Sequence, residues 1–413
     1  MQRLQADLRL NVRQRTEQYA EVLARELQRD LIVAREIVSP MDREVLVRDA
    51  RTGEARSMLM FGSNNYLGYA NHPYVLEQVR ESLDRWGAGL GGPPLLNGTM
   101  EPHAALQRRV SALKSKEAAL LYSSGYGANI GWLTALPHRG DVILMDERCH
   151  ASLYDGARAA KARLVTFRHS CVDDLRTKLR DARTLKPTDI YVVVEGVYSM
   201  DGDLAPLDRI VEVCRGSGAF IALDDAHGTG ILGPTGAGTA ELFGVENEID
   251  LAMGTFSKAL AASGGFIAAT RQIVEYLRFF SRPHFFSASM PPMVIAALHA
   301  GLDLLEREPQ RRVRLHENVR HLVELLGAIG VHTGSQSAIV PIYVPQGIRK
   351  VSARMHNAGV FINAIEYPAV PEGQERFRVS VTCDHTRDDL RRLVETLDGA
   401  FEAEQVPREV PGK

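Results

Sequence analysis

Short apolar runs separated by amphipathic stretches dominate the middle of the chain. Several runs are apolar throughout, without the alternation of a half-exposed strand, which indicates strands buried on both faces. The runs are AALLYS (118–123), DVILMD (141–146), ARLVTF (162–167), IYVVVE (190–195), FIALDD (219–224), DLAMGT (250–255) and GGFIAA (264–269). Helical stretches lie between most of them, for example at 171–182 and 204–216. This alternation predicts a doubly wound α/β layer.

The pattern changes on either side of this layer. Residues 1 to about 35 are charged and helical in pattern, which fits either an arm lying on a partner subunit or a solvated helix. A helix is predicted at 73–86, and after residue 292 fewer strands are mixed with flanking helices. The later segments are helices near 293–306, 309–328, 348–358 and 386–403, and extended pieces at 337–344, 360–365 and 377–381.

These changes predict three parts of the chain. Residues 1–60 form an N-terminal arm or helix with a small segment, and residues 61–290 form the large domain. Residues 291–413 form a smaller C-terminal α+β domain. A chain of 413 residues is long enough for more than one hydrophobic core, in agreement with this division.

Composition excludes several classes of function. Lys plus Arg number 49 against 51 Asp plus Glu, a net charge of −2, so a broad basic face for nucleic acid is not expected. No stretch of about twenty apolar residues occurs, and the polar N-terminus lacks a signal core. Four scattered cysteines without CxxC spacing are typical of reduced thiols in a cytoplasm. We therefore expect a cytoplasmic protein without a transmembrane segment.

Reactive and small residues follow five of the predicted strands. Ligands of open α/β sheets bind outside the carboxyl ends of the strands, so we expect these endings to converge in space. The endings are SSGYGAN (123–129), DERCHAS (146–152), EGVYSMDGD (195–203), DDAHGTG (224–230) and GTFSKAL (254–260).

Two of these endings offer a site for an anion and a site for a cation. Ser124, Gly125 and Tyr126 open a helix whose exposed N–H groups favour a phosphate, although alone they also fit an ordinary turn. Asp224 stands at the mouth of a buried strand and needs a partner, which a protonated ring nitrogen would supply. A helix cap, or a metal shared with His227, is the alternative.

A third ending supplies an amine. Lys258 lies between apolar flanks, and desolvation makes a lysine amine nucleophilic toward carbonyls, while Thr255 and Ser257 add hydroxyl groups. A phosphate cradle, a carboxylate and such a lysine are together what pyridoxal 5′-phosphate requires. His150 would then lie on the cofactor ring.

Eight motifs in the expected order resemble one family. They are NNYLGY (64–69), NGT (97–99), CHASLYDGAR (149–158), EGVYSMDGDLAPL (195–207), DDAHGTG (224–230), GTFSK (254–258), SASMPP (287–292) and FRVS (377–380). From about Asn64 to His385 the chain resembles the α-oxoamine synthases, pyridoxal-phosphate enzymes of the aspartate-aminotransferase fold (fold type I). The resemblance implies a mainly parallel seven-stranded sheet and a homodimer with a shared active site.

The resemblance also implies a role for each matching residue. Lys258 would bond the cofactor and move protons at the substrate α-carbon, Asp224 would hold the pyridine nitrogen protonated, and His150 would stack on the ring. Asn65 would lie near the substrate, and Arg378 would clamp the amino-acid carboxylate. The phenolic oxygen would contact Ser199 and His227, and the phosphate would contact Ser124, Gly125, Tyr126, Thr255, Ser257 and, from the other subunit, Ser287.

The implied reaction joins an L-amino acid to an acyl thioester with loss of carbon dioxide. GTFSK, EGVYSMDGD, RHSCVDDL (168–175) and SAIVPI (337–342) are most similar to the serine palmitoyltransferase branch, so serine is favoured. Alanine with a pimeloyl thioester, as in 8-amino-7-oxononanoate synthase, comes second, and glycine third. An aminotransferase is a more distant alternative, and a non-catalytic partner subunit is disfavoured because Lys258 is present.

One loop departs from the family pattern. Many relatives have a polar-basic pair where this chain has Pro93-Pro94, within the glycine-rich segment 87–99. Two prolines stiffen the loop and remove two N–H donors and a cationic contact. The acyl donor is therefore expected to be either acyl-CoA or, because of this change, an acyl carrier protein.

Overall fold

The structure is a computed structural model that describes residues 10–27, 30–49 and 52–408. Its described residues belong to two compact units, Met1–Ser63 with Glu317–Lys413 and Asn64–His316. The N-terminal segment contains α1 (Val12–Leu27), β1 (Glu36–Ile37), β2 (Glu44–Arg48) and β3 (Ala55–Met60).

The larger unit contains most of the α/β alternation. Its elements are α2 (Pro73–Trp86), α3 (Glu101–Leu113), β4 (Ala118–Tyr122), α4 (Gly125–Ala135), β5 (Val142–Asp146), α5 (Ala151–Ala159), β6 (Arg163–Phe167), α6 (Val172–Thr184), β7 (Ile190–Glu195), α7 (Leu207–Cys214), β8 (Phe220–Asp224), α8 (Thr239–Phe243), β9 (Leu251–Thr255), β10 (Gly265–Ala269), α9 (Arg271–Phe280), α10 (Arg282–Phe285) and α11 (Pro292–Arg307). Helix α12 (Gln310–Ala328) begins in this unit and ends in the smaller one. The smaller unit continues with β11 (Ile339–Tyr343), α13 (Ile348–Asn357), β12 (Val360–Phe361), β13 (Asn363–Ile365), β14 (Arg376–Ser380) and α14 (Arg387–Glu404).

Each of the seven apolar runs forms a strand of one sheet. The strand order is β4-β10-β9-β8-β7-β5-β6. Strand β10 is antiparallel to both of its neighbours, while the pairs from β9 to β6 are parallel. The prediction of a mainly parallel seven-stranded sheet is confirmed.

Helices on both faces explain why these runs lack alternation. Every residue of β5, β7, β9 and β10 is buried. On one face the strands form a core with Leu175 and Ile210 from α6 and α7. On the other face Trp132, Leu153 and Leu277 from α4, α5 and α9 form a second core. A strand covered on both faces has no solvent side that would favour polar residues.

The smaller unit has two sheets of its own. One has the order β1-β2-β3-β12 and the other β11-β14-β13. In the first, β12 pairs in parallel with β3, placing Val360 opposite Leu59, so segments about 300 residues apart share one sheet. Strands β1 to β3 were not predicted, because β1 has only two residues and only β2 has a clear alternation of buried and exposed residues.

The N-terminal arm and the domain boundaries stay predictions. No residue of α1 is buried, and residues 1–9, 28 and 29 of the predicted arm lie outside the described residues. Helix α11 packs against α2 and α3, so the larger unit extends to His316, beyond the predicted boundary at 290. None of the helices in the described part of the chain combines the length and apolar character that a bilayer crossing requires.

Candidate active site

The endings of five parallel strands meet at one edge of the large sheet, where a cavity of about 300 Å³ opens. This volume lies at the lower end of the range for small-molecule sites, about 300–1,000 Å³. The predicted residues that line the cavity are Ser124, Gly125, Tyr126, His150, Ser199, Asp224, His227, Thr255, Ser257 and Lys258. The predicted convergence of the strand endings is therefore observed, whereas the role of each residue stays a prediction.

One end of the cavity is suited to an anion. Helix α4 starts at Gly125, and the Ser124 hydroxyl caps it by accepting the Gly127 N–H at 2.9 Å. Across from this turn, the Thr255 and Ser257 hydroxyls lie 2.9 Å apart. A Cβ on Gly125 would come within 3.0 Å of the Thr255 hydroxyl, so the absence of a side chain keeps the cradle open. A helix start beside two hydroxyl groups fits a phosphate.

Asp224 has hydrogen-bond donors on both of its carboxylate oxygens. It is the last residue of β8 and is buried. Its Oδ2 accepts the Asn129 side-chain amide at 2.7 Å, and its Oδ1 accepts the Ala226 N–H at 3.0 Å. Donors on both oxygens satisfy a carboxylate in a buried position, where it can pair with a protonated ring nitrogen.

The remaining predicted groups surround the same cavity. Lys258 is half-buried and follows the buried Phe256 and precedes the buried Ala259. His150 caps the N-terminus of α5. The buried His227 has its Nδ1 2.8 Å from the Tyr66 hydroxyl, and Ser199 is also buried. An amine, a carboxylate and two imidazoles therefore face one space.

The sequence analysis missed three polar residues of this cavity. Glu195 ends β7 and accepts the backbone N–H of His150. Burial raises the pKa of Glu195 well above its ordinary value, and the nearby Asp224 carboxylate adds to the rise. Asn129 and Ser152 lie on α4 and α5 and also line the cavity. A buried asparagine within the apolar helix sequence ANIGWLTA was the available signal.

A buried ion pair supports the loop after Asp224. Lys114 Nζ lies 2.7 Å from Asp225 Oδ2 and 2.8 Å from the Thr229 hydroxyl, and it also donates to the Ala237 carbonyl. Thr239 donates its hydroxyl to Asp225 Oδ1 at 2.7 Å. The second aspartate of DDAHGTG thus stabilises the loop that holds His227, a role the sequence analysis did not assign.

A second polar cluster supports the loop that contains Ser199. His169 Nδ1 lies 3.0 Å from the buried Asp146, and its Nε2 lies 2.8 Å from Asp203. Burial by itself lowers the pKa of His169, but the hydrogen bonds to these two carboxylates raise it to about 9. The imidazolium therefore links the end of β5 to the loop that follows β7.

Three predicted residues lie elsewhere in the fold. Ser287 lines a separate cavity of about 20 Å³, together with His103 and His284. Asn65 accepts the Ala70 N–H through its side-chain oxygen at 3.2 Å. Arg378 is half-buried on β14 of the smaller unit. Their assigned contacts with cofactor and substrate stay predictions.

The donor set of the cavity fits pyridoxal phosphate. The group needs an anchor for its phosphate, an acid for its ring nitrogen and an amine for its aldehyde, and all three line the same 300 Å³. Among the residues that the structure describes, no group of three or more His, Cys, Asp or Glu is placed to hold a metal ion.

Known proteins are similar to this chain in sequence and in fold. The sequence model of the family "Aminotransferase class I and II" matches residues 56–397. The chain is 40% identical over 349 residues to 8-amino-7-oxononanoate synthase of Geobacter sulfurreducens, covering 83% of this chain and 89% of that protein. It is 36% identical over 375 residues to serine palmitoyltransferase of Sphingobacterium spiritivorum, covering 90% and 92%.

The solved structures agree with the sequence comparisons. Serine palmitoyltransferase of Sphingomonas wittichii superposes with a TM-score of 0.90 at 31% identity, covering 96% of this chain and all of that one. The predicted aspartate-aminotransferase-like fold and the pyridoxal-phosphate dependence are confirmed. The chain therefore belongs to the aminotransferase class I and II family and, within it, to the pyridoxal-phosphate-dependent α-oxoamine synthases.

Proposed function

We propose that the enzyme condenses L-serine with an acyl thioester and releases carbon dioxide, a free thiol and an α-amino ketone. The observation that supports this most is the cavity that unites Lys258, Asp224 and the hydroxyl-lined helix start. Bound pyridoxal phosphate supplies an aldehyde that captures amines and a ring that withdraws electrons from the amino-acid α-carbon.

The residues of the chain then have separate tasks. Asp224 holds a proton on the ring nitrogen by hydrogen bonding as an anion. Lys258 Nζ accepts and returns the proton of the α-carbon. His150 and Arg378 orient the amino acid, so that the bond to be broken is aligned before the acyl group arrives. Ser199 and His227 bind the phenolic oxygen.

Serine is preferred to alanine on the strength of the motifs and the fold. The named serine palmitoyltransferases match nearly the whole chain, in sequence and in structure. The 40% identity to an 8-amino-7-oxononanoate synthase supports alanine with a pimeloyl thioester as the second candidate. Serine differs from alanine by one hydroxyl group. An enzyme distinguishes two such substrates strongly only where its site forms a hydrogen bond to that hydroxyl.

The glycine-rich loop supports a carrier protein as the acyl donor. The Pro93 carbonyl accepts the Gly98 N–H at 2.9 Å, and the Pro94 carbonyl accepts the Thr99 hydroxyl at 2.7 Å. These internal bonds and the two fixed proline rings make the loop rigid. It also lacks the basic side chain that would bind a CoA phosphate. We therefore propose that a carrier-bound acyl group is used in preference to acyl-CoA.

We also propose a homodimer with a shared active site. Phe279, Phe280 and Phe286 are 57%, 59% and 69% exposed, close in sequence to Ser287. Exposed aromatic clusters of this kind are typical of protein interfaces. Mixing a Lys258→Ala variant with a Ser287→Ala variant tests the sharing, because a mixed dimer regains one intact site if Ser287 acts across the interface. Activity that does not recover above the sum of the two parents contradicts it.

Product analysis tests the reaction itself. The purified, cofactor-loaded enzyme is given serine, alanine or glycine with acyl-CoA and with the matching carrier-bound acyl group, and free thiol, carbon dioxide and ketone mass are measured. We expect thiol release that depends on serine and is faster with the carrier. Keto-acid-dependent amino transfer without thiol release contradicts the synthase, and a clear preference for CoA contradicts only the carrier. The Lys258→Ala variant is the control for background hydrolysis.

A further inference from the structure

A chain of hydrogen bonds connects Asp224 to His150 through two residues that have no assigned role. The Asn129 amide nitrogen donates to Asp224 Oδ2 at 2.7 Å and to the Ser152 hydroxyl at 2.9 Å. The Ser152 hydroxyl lies 2.8 Å from His150 Nδ1. Asn129 and Ser152 are both about 1% exposed, so no solvent replaces these contacts.

The orientation of the Asn129 amide follows from its neighbours. The Trp132 indole N–H can only donate, and it lies 3.2 Å from Asn129 Oδ1. An ionised carboxylate can only accept, so the amide nitrogen must face Asp224. Both constraints turn Asn129 Oδ1 toward Trp132 and Nδ2 toward Asp224. The two amide hydrogens are then used on Asp224 and Ser152.

The position of the Ser152 proton follows in turn. A hydroxyl has one hydrogen, and the Ser152 oxygen already accepts from Asn129. The backbone N–H of Ser152 donates to His150 Nδ1 at 3.2 Å, so Nδ1 presents a lone pair and not a hydrogen. The Ser152 hydroxyl, 2.8 Å from the same nitrogen, then directs its own hydrogen to Nδ1. Because Nδ1 accepts from two donors, the neutral ring has its hydrogen on Nε2.

The same contacts oppose a second proton on the ring. A hydrogen on Nδ1 would face the Ser152 N–H, donor against donor. The backbone of His150 is itself held, because its N–H donates to the buried Glu195. With Nε2 already protonated and Nδ1 engaged, His150 is a hydrogen-bond donor and not a base.

We propose that Asn129 and Ser152 are positioning residues that fix His150 as its Nε2–H tautomer and link its orientation to the ionised Asp224. The inference rests on the proposed function in placing His150 against the bound cofactor. It leaves Lys258 as the group that exchanges the α-carbon proton.

Nitrogen NMR of the full-length protein with labelled histidine rings tests the tautomer. The chain has 13 histidines, so the His150 signals are identified by their loss in a His150→Asn variant. We expect protonated Nε2 and unprotonated Nδ1, with and without cofactor. In Ser152→Ala we expect the tautomer ratio to change about fivefold or more, as for the loss of one hydrogen bond. Ser152→Thr, which keeps the hydroxyl, should restore the wild-type ratio.

Two further variants keep the test decisive. Ser111→Ala removes another buried hydroxyl of the larger unit, which donates to the Arg108 carbonyl, and should leave His150 unchanged. If Ser152→Ala fails to fold, Ser152→Cys replaces it, because a thiol of similar size is only a weak donor to Nδ1. Protonated Nδ1 in the wild type, or an unchanged ratio in the folded variant that lacks the Ser152 hydroxyl, overturns the proposal. The proposed function is tested separately, by measuring thiol release by the wild-type enzyme.

Discussion

Replacing Lys114 by methionine removes one partner of the buried Lys114–Asp225 ion pair and measures how much this pair stabilises the loop after Asp224. The side chains of Lys114 and Asp225 are 4% and 1% exposed. The ammonium uses its three hydrogens on Asp225, the Thr229 hydroxyl and the Ala237 carbonyl. Among the described residues, Lys114→Met leaves the Asp225 side chain with Thr239 as its one remaining donor. Breaking one partner of a buried pair costs about 3–5 kcal/mol, and we expect that loss in the free energy of unfolding.

Urea denaturation followed by tryptophan fluorescence, to which the buried Trp132 contributes, measures this loss once refolding has been shown to be reversible. Lys116→Met is the matched control, because Lys116 donates to the backbone carbonyls of Glu246 and Ile249 and forms no ion pair among the described residues. We expect the control to lose only about 1–2 kcal/mol. Adding Asp225→Asn to Lys114→Met should recover about 2 kcal/mol, because the unpaired charge is removed. A Lys114→Met loss no larger than that of the control refutes the reasoning.

Three other predictions concern the same unit. Lys258→Ala should abolish the visible cofactor absorbance and lower turnover at least about a hundredfold, and retention of both removes this lysine from its role. Gly228→Ala places a Cβ about 2.1 Å from Asp225 Oδ1 and should cost about 3 kcal/mol in urea unfolding, whereas Gly89→Ala, with open space around it, should cost little. Because the folded-state pKa of His169 is raised to about 9 from about 6.5, its contribution to stability is complete below pH 6.5 and is lost as the pH rises through 9. Unfolding of wild type and His169→Gln should therefore converge between pH 7 and 10, and curves that stay parallel contradict this assignment.

The local sequence pattern was sufficient to predict an element wherever burial or helix capping alone determined its residues. The seven apolar runs became strands within a residue or two of the predicted bounds, because burial on both faces excludes polar residues from all positions. The helix at 386–403 was equally clear, and its start is fixed by a capping box between Thr386 and Asp389. The strands at 36–60 were missed, because only one of them alternates clearly between buried and exposed residues, and the strand that completes their sheet, Val360–Phe361, lies about 300 residues later in the chain.

The same contrast holds for the active site. By itself, the sequence determined the chemical groups: a lysine, an aspartate and several hydroxyl groups at the ends of parallel strands, which must meet because such strands end at one edge. Only the tertiary structure decided which neighbours control those groups. Asn129, Ser152 and Glu195 line the site from separate helices and a strand, and Lys114 holds the loop after Asp224 through Asp225. Their effect depends on distances below about 3 Å that no local pattern encodes. Hydrogen bonds are short-ranged and directional, so proton positions and buried charges are settled by packing, whereas the type of reaction is settled by residue identity.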